Sequence, residues 1–246
     1  MRLNSAGEFM KYYIDLHIHS ALSPCADDEM TPNNIVNMAA LKGLDIIAVT
    51  DHNSIGNSEA VIHCGKSAGI LVVPGMELET LEEVHLVCLL PDLKQAQLLQ
   101  TYVYEALPQR KNQEELFGKQ LLFNAEDKIK GSESRLLLTA AQISLQEAVH
   151  LVQELGGATI PAHIDRRANS ILTNLGFIPQ DLDFHYLELS ASCRTSEFLA
   201  LHPQLQAYRF IQSSDAHRLE AMVKETGSIE LQERSIPCLL NKLNGG

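Results

Sequence analysis

The sequence has no basic block, no apolar run near the roughly 18 residues that suggest a membrane span, and no Cys-x-x-Cys pair. Each absence narrows the field. With 19 basic against 31 acidic side chains the formal charge is −12, so the electrostatic footprint of a protein that tracks long nucleic-acid duplexes is missing. A small or single-stranded substrate is compatible with that balance, and bound cations would locally reverse the sign of an acidic pocket. The five cysteines, Cys25, Cys64, Cys88, Cys193 and Cys238, are odd in number and widely spaced. They exclude a disulfide-dense scaffold and fit a reducing compartment. Met1 to Glu8 lacks the apolar core of a secretory signal. The expectation is a soluble, cytoplasmic protein without membrane contact, with Met10 as an alternative start and residues 1–9 as a loose extension. No internal sequence repeat is visible, and no pattern reveals an oligomeric state.

What is present is alternation. A chain of 246 residues with 45% hydrophobic content can bury one substantial core, and α/β barrels of this size occur as one domain. Short apolar runs alternate with segments of helical period, the mark of repeated βα units. Strands are expected at residues 12–17, 44–50, 70–74, 84–90, 158–162, 185–189, 209–212 and 228–230, giving about seven or eight units. Thr31-Pro32 reads as a helix N-cap followed by proline at the first helical position, with Gly43 as the stop. Further helices are expected near 57–68, 92–107 and 144–155. The stretch from about 108 to 135 is polar and lacks a clear strand. It is read as an insertion in a domain spanning 10–246, anchored by Leu121-Leu122-Phe123 and otherwise mobile or covering a pocket.

The polar residues that interrupt these strands recur at one kind of place. Asp15-Leu16-His17-Ile18-His19 closes the first strand, where residues i and i+2 share a face, so that two imidazoles converge on one ion. Thr50-Asp51-His52 follows the second strand and Pro74-Gly75-Met76-Glu77 the third. His85 and His163 lie near the ends of later strands, and Ser214-Asp215-Ala216-His217 follows residues 209–212. In parallel barrels the C-terminal strand ends form the catalytic face, so these residues are expected to meet. His63, His150, His185 and His202 match no such pattern and are assigned to helix surfaces or hydrogen-bonded core positions. Glu188 is expected to line the pocket in a supporting part rather than to ligate.

In that order, Asp-x-His-x-His, Thr-Asp-His, Pro-Gly-x-Glu, Pro-Ala-His and a late Asp-x-His resemble the polymerase and histidinol phosphatase (PHP) domain, from about Tyr13 to His217. The resemblance implies a distorted (β/α)7, TIM-like barrel with two or three divalent ions (zinc, manganese or iron) on its C-terminal face. It implies a first ion on His17, His19, Glu77 and Asp215, and a second bridged by Glu77 and held by His85 and His163. A third would take His52, His217 and a residue of the loop after the first strand. Here that loop, Ser23-Pro24-Cys25-Ala26-Asp27-Asp28, departs from the commoner patterns; Cys25, Asp27 and Asp28 are the alternatives.

The implied activity is hydrolysis of a phosphoester in a small phosphorylated metabolite or nucleotide by a metal-bridging hydroxide, with no protein nucleophile. Asp15 and Asp51 are expected to fix imidazole tautomers, and Arg166 and Arg167 to clamp phosphate oxygens. The competing expectations are a nuclease or proofreading-type phosphodiesterase, against which the missing basic groove counts, and a non-catalytic, metal-stabilised regulatory module, whose mark would be lost ligands.

Overall fold

A computed structural model describes residues 8–222 and 227–246; most of the expected N-terminal extension, residues 1–7, lies outside the described residues. In chain order the first half comprises β1 (Met10–Ile18), α1 (Pro32–Lys42), β2 (Ile46–Val49), α2 (Ser58–Ala68), β3 (Leu71–Glu79), β4 (His85–Leu89) and α3 (Leu93–Ala106). Then follow α4 (Glu114–Phe117), β5 (Leu121–Phe123), β6 (Ile129–Ser132), α5 (Leu145–Glu154), β7 (Ala158–Pro161), α6 (Ile171–Asn174), β8 (Tyr186–Ser190), α7 (Thr195–Leu201), β9 (Arg209–Ser213), β10 (Ser228–Leu231) and α8 (Ile236–Leu243). Among the described residues no helix is long and apolar enough to cross a membrane.

The helix signals act as read. The Thr31 side chain accepts from Asn34 N, Pro32 opens α1, and Gly43 closes it at φ 69°, a left-handed conformation that costs glycine little. The face of α1 carrying Ile35, Val36 and Ala39 is buried.

Strands β1, β2 and β3 are parallel neighbours, with Ile14 opposite Ile46 and Ile46 opposite Leu71. The expectation of uniformly parallel strands fails at β4. It runs antiparallel to β3, Glu79 facing His85 and Glu77 facing Val87, and β7 runs antiparallel to β4. The reason is length: residues 80–84 cannot span the dozen or more residues of a parallel crossover. Strands β8 and β9 are parallel to one another. Backbone bonds from Ile164 N to Glu188 O (2.8 Å) and from His19 N to Ala216 O (2.9 Å) join that pair to β7 and β1. Seven strands thus curl around one axis, and β10 adds antiparallel to the outer half of β1.

One core lies inside the curl, with Ile14, Leu16, Ile46, Ala48, Val87, Leu89 and Ile160 capped by Leu239, Leu240 and Leu243 of α8. Two others lie between strands and outer helices. Between Asp15 and Ile18 the register of β1 against β2 slips. This bulge sends Ile18 into an outer core and brings His17 inward beside Leu16, the re-aiming that bulges perform at strand ends.

The polar insertion is more ordered than its composition suggests. It forms the β5–β6 hairpin, with Leu121 opposite Ser132, and Leu121 and Phe123 are buried. The Asn57 side chain accepts from Phe123 N at 2.8 Å and donates to Leu121 O at 3.0 Å. The Asp127 carboxylate accepts from Thr31 Oγ1 and Asn33 N at the start of α1. Gly118 (φ 101°) passes so close to Pro24 that a Cβ there would lie 2.1 Å from the Pro24 carbonyl oxygen. The insertion therefore braces the loop after β1.

Gly118→Ala is expected to destabilise the protein by about 1–3 kcal/mol through left-handed strain and the Pro24 clash. Gly131→Ala, at a position with nothing within 4 Å, is expected to stay within about 0.5 kcal/mol of the parent. Urea denaturation of the pair provides the comparison, and equal midpoints would remove the bracing role.

Candidate metal centre

All eight sequence-predicted ligands meet at one end of the curl. His17 and His19 leave β1, His52 forms a bridge with Glu77 of β3, and His163, Asp215 and His217 follow β7 and β9. His85 belongs to the same edge because β4 is antiparallel: its first residue faces the end of β3. Two of the eight stand in left-handed backbone, His163 at φ 30° and Asp215 at φ 48°. For side chains of this size that is strain held by the surroundings, a feature concentrated at functional sites.

Glu77 is the hub. Its Oε1 lies 2.7 Å from His85 Nδ1 and 3.1 Å from both His17 Nε2 and His163 Nε2. Its Oε2 lies 2.8 Å from His52 Nδ1 and 3.4 Å from His19 Nε2. Asp215 Oδ1 approaches His19 Nε2 at 3.0 Å, His17 Nε2 at 3.5 Å and His217 Nδ1 at 3.6 Å. Despite these short distances Glu77 Oε2, His85 Nδ1 and Asp215 Oδ1 are buried without a properly angled hydrogen bond. Buried polar atoms are normally paired; here they point at common space rather than at one another, as atoms sharing a cation do.

Three donor groups have all their atoms within 4.8 Å: His17, His19 and Glu77; His52, Glu77 and His85; and His19, His52 and His217. The first agrees with the implied first ion. The others differ from the implied partition, since His52 also approaches the Glu77–His85 pair and His19 also approaches His217. Mixed imidazole and carboxylate donors suit divalent zinc, manganese or iron.

The charge states follow from this crowding. Burial would raise Glu77, but His85, His17 and His52 hold its carboxyl well below the usual range. Burial disfavours a charged His17, yet Glu188, Glu77 and Asp215 raise it well above an ordinary histidine, and Glu77 and Cys25 do the same for His52. His19 goes the other way, lowered by burial and by His217 and His52. Protons on His17 and His52 thus balance the buried carboxylates where a cation is absent.

The outer partners only partly match expectation. Asp51 reaches His19 through a serine: its Oδ1 accepts from Ser23 Oγ at 2.7 Å, and Ser23 Oγ lies 2.9 Å from His19 Nδ1. Asp15 bonds no imidazole. It accepts from Ser214 N at 3.0 Å, anchoring the loop of Asp215 and His217, and burial raises its carboxyl to about 7. The carboxylate that orients His17 is Glu188, 2.9 Å from His17 Nδ1 and accepting from His163 N at 3.0 Å. Its signal was an acid inside the apolar run Tyr186–Leu189. Asn169, unsignalled in sequence, fixes His85 twice, by Nδ2 at 2.8 Å from its Nε2 and by a carbonyl accepting its N–H.

Arg166 lines a cavity of about 210 Å³ with His52, His85, His163 and His217, and its Nη1 lies 2.5 Å from Asp215 Oδ2. Arg167 is exposed and not among the lining residues. In the loop after β1, Asp28 pairs with Lys119 at 2.6 Å and Asp27 is exposed. The Cys25 thiol, which burial would raise, is brought down to about 7 by hydrogen bonds with His217 and His52. Of the other histidines, His202 stacks on Phe198, His185 lies 3.6 Å from Asp183, and all four stand apart from the cluster.

Comparison with known proteins follows the same line. Residues 15–167 match the PHP domain. The chain is 36% identical over 76 residues to an uncharacterized protein of Methanocaldococcus jannaschii, covering 28% of this chain and 44% of that one. It is 32% identical over 66 residues to a 5'-3' exoribonuclease of Haemophilus influenzae, covering 27% and 23%. Less than half of either relative's length is matched. Among solved structures, Endonuclease Q in complex with a 27-mer duplex substrate carrying an abasic lesion is similar with a TM-score of 0.67 and 19% identity, over 96% of this chain and 57% of that one. At that identity the likeness speaks to fold. It also qualifies the charge argument: a protein of this fold holds a duplex at its active site. The domain match spans more than half the chain, and the chain belongs to the PHP domain family, whose members are metal-dependent phosphoesterases.

Proposed function

We propose that this phosphoesterase hydrolyses a phosphoester bond of a small phosphorylated metabolite or nucleotide, with two or three divalent ions of zinc, manganese or iron held by His17, His19, His52, Glu77, His85, His163, Asp215 and His217. The observation that carries the reading is the buried Glu77 carboxylate, each oxygen facing more than one imidazole and Oε2 left without a hydrogen bond. Divalent ions bound there supply a water-derived nucleophile at neutral pH and offset charge on phosphate oxygens. The protein's own residues do the rest. Glu188 and the Asp51–Ser23 pair hold His17 and His19 by their Nδ1 atoms, leaving both Nε2 atoms toward the centre. Asn169 holds His85. Arg166 stands at the cavity with its fork beside Asp215, placed to bind a phosphate oxygen as a charge-assisted donor.

A nuclease reading is the second proposal, favoured by overlap of 96% of the chain with an endonuclease fold and by the aligned exoribonuclease segment. One panel tests both: p-nitrophenyl phosphate, its bis ester, a short RNA and an abasic duplex, each assayed with chelated and metal-replenished protein. Hydrolysis is expected to vanish on chelation and return with Mn²⁺ or Zn²⁺, and Glu77→Gln is expected to lose bound metal and activity together. Preference for the monoester supports the metabolite reading, and preference for RNA or duplex replaces it. A metal-replete parent no faster than Glu77→Gln on every substrate would overturn both.

Arg166→Ala removes a charge-assisted hydrogen bond of about 1.5–3 kcal/mol, so kcat/KM is expected to fall about 10- to 100-fold at unchanged metal content. An unchanged rate would place Arg166 outside substrate binding.

Because His17 and His52 carry raised values and ligate only when neutral, ions must displace their protons. Affinity is therefore expected to rise with pH, by about tenfold per unit for each proton displaced. Chelator competition at about pH 6 and about pH 8 measures it, and a flat profile would contradict the assigned protonation.

A further inference from the structure

Strand β3 ends on a second acid, Glu79, two residues beyond the hub. From Gly75 to Glu79 its register against β4 is unbroken, with Glu77 opposite Val87 and Glu79 opposite His85. Met76 and Leu78 pack into an outer core with Leu86 and Cys88, whereas Val87 and Leu89 lie in the core inside the curl. Alternation therefore sends the side chains of Glu77, Glu79 and His85 to the same inner face. Glu79 stands about 6–7 Å further along the strand than Glu77. It is flanked by His85 across the ladder and by the His52–Asn53 turn on the other side, and both histidines line the cavity. The Glu79 backbone is clamped: its N–H donates to Asn53 Oδ1 at 3.0 Å and its carbonyl accepts from Ala141 N at 2.9 Å. Asn53 Nδ2 is in turn held by Leu137 O at 2.8 Å and Thr139 O at 3.0 Å. The half-buried carboxylate, by contrast, forms no hydrogen bond or ion pair with any described residue. His85 is engaged by Glu77 and Asn169, and His52 Nδ1 by Glu77, so Glu79 holds neither ring.

We infer that Glu79 is a specificity-determining residue, its carboxylate accepting a hydrogen bond from a hydroxyl or ammonium group on the alcohol portion of the phosphoester. The inference rests on the phosphoesterase reading above. It narrows the substrate to esters of alcohols that carry such a donor a few bonds from the ester oxygen, as sugars, nucleosides and amino alcohols do. A carboxylate repels a phosphoryl group, so Glu79 cannot serve the phosphate itself. A partly desolvated acid beside the like-charged Glu77 and without a partner costs stability. A donor on the substrate is the partner that the fold leaves out, and a hydrogen bond to a charged group is the stronger kind. With its backbone fixed on both sides, the acceptor is presented in place. A site built to hydrogen-bond a substrate hydroxyl discriminates sharply against an analogue that lacks it.

The test uses the metal-replete full chain and three esters: hydroxyethyl phosphate, methoxyethyl phosphate, which keeps the oxygen but loses the donor, and aminoethyl phosphate. In the parent, kcat/KM for a donor-bearing ester is expected to exceed that for methoxyethyl phosphate by about 10- to 100-fold, the worth of a hydrogen bond to a charged group. This comparison needs no variant. In Glu79→Leu the ratio is expected to collapse toward unity, the loss falling on the donor-bearing esters, whereas a merely structural role would lower all three rates together. Glu79→Gln, which accepts a hydrogen bond but carries no charge, separates the donors: a hydroxyl preference survives it and an ammonium preference does not. Equal kcat/KM for the three esters in the parent, hydrolysis of p-nitrophenyl phosphate but of none of the three, or a ratio retained in Glu79→Leu would each overturn the assignment and leave the phosphoesterase intact. Failure to hydrolyse any of the four would overturn both.

Discussion

A buried carboxylate at the hub of five imidazoles is the constraint around which this protein is arranged. Glu77 is 1% exposed, and taking such a group out of water costs several kcal/mol unless positive charge surrounds it. His17 and His52, both raised well above an ordinary histidine, supply that charge in part, at the expense of their own desolvation. The balance is incomplete as hydrogen bonding, since Glu77 Oε2, His85 Nδ1 and Asp215 Oδ1 remain unpaired. A cluster built only for stability would pair these atoms. Convergence on shared space is intelligible if divalent cations, with more charge than a proton and more than one coordination direction, complete it.

Several irregularities of the fold serve that geometry. The β1 bulge turns His17 inward while keeping Ile18 in the outer core. Reversal of β4 brings a residue at a strand start to an edge otherwise made of strand ends. The left-handed backbones of His163 and Asp215 are held by neighbours: Glu188 takes the His163 N–H, and Asp15 takes the N–H of Ser214. Strain at the site is thus sustained by buried acids that do not themselves face a cation.

This division explains what the sequence made legible. Residues that ligate must have particular chemistries at strand ends, and strand ends are visible as breaks in apolar runs, so His17, His19, His52, Glu77, His163, Asp215 and His217 could be picked out one by one. Their supports were legible only in part: Glu188 and Asp51 stood out as acids near strand ends, but not the partners they hold. Asp51 acts through Ser23, a two-step contact with no spacing rule, and Asn169 reaches His85 across 84 positions. Strand direction was misread although the brief 80–84 connection carried the signal. The β6 strand, Ile-Lys-Gly-Ser and mostly exposed, has no period to read; it exists because Asn57 and the outer core hold its partner β5.

Net charge misleads about partners for a related reason. The total of −12 sums over the whole surface, whereas an incoming anion meets one face. The loops leaving β7, β8 and β9 toward that face carry Arg166, Arg167, Arg194 and Arg218. Of these, Arg166 is engaged with Asp215 and Arg194 with Glu197. An anion arriving at the cavity therefore meets the Arg166 guanidinium before the buried acids behind it. Surface electrostatics decay over about 8 Å at physiological ionic strength, so this local order, more than the sum over the chain, governs which ligands can approach. An acidic protein can in this way carry a centre for phosphate, and its overall sign does not separate a small phosphomonoester from a nucleic-acid strand.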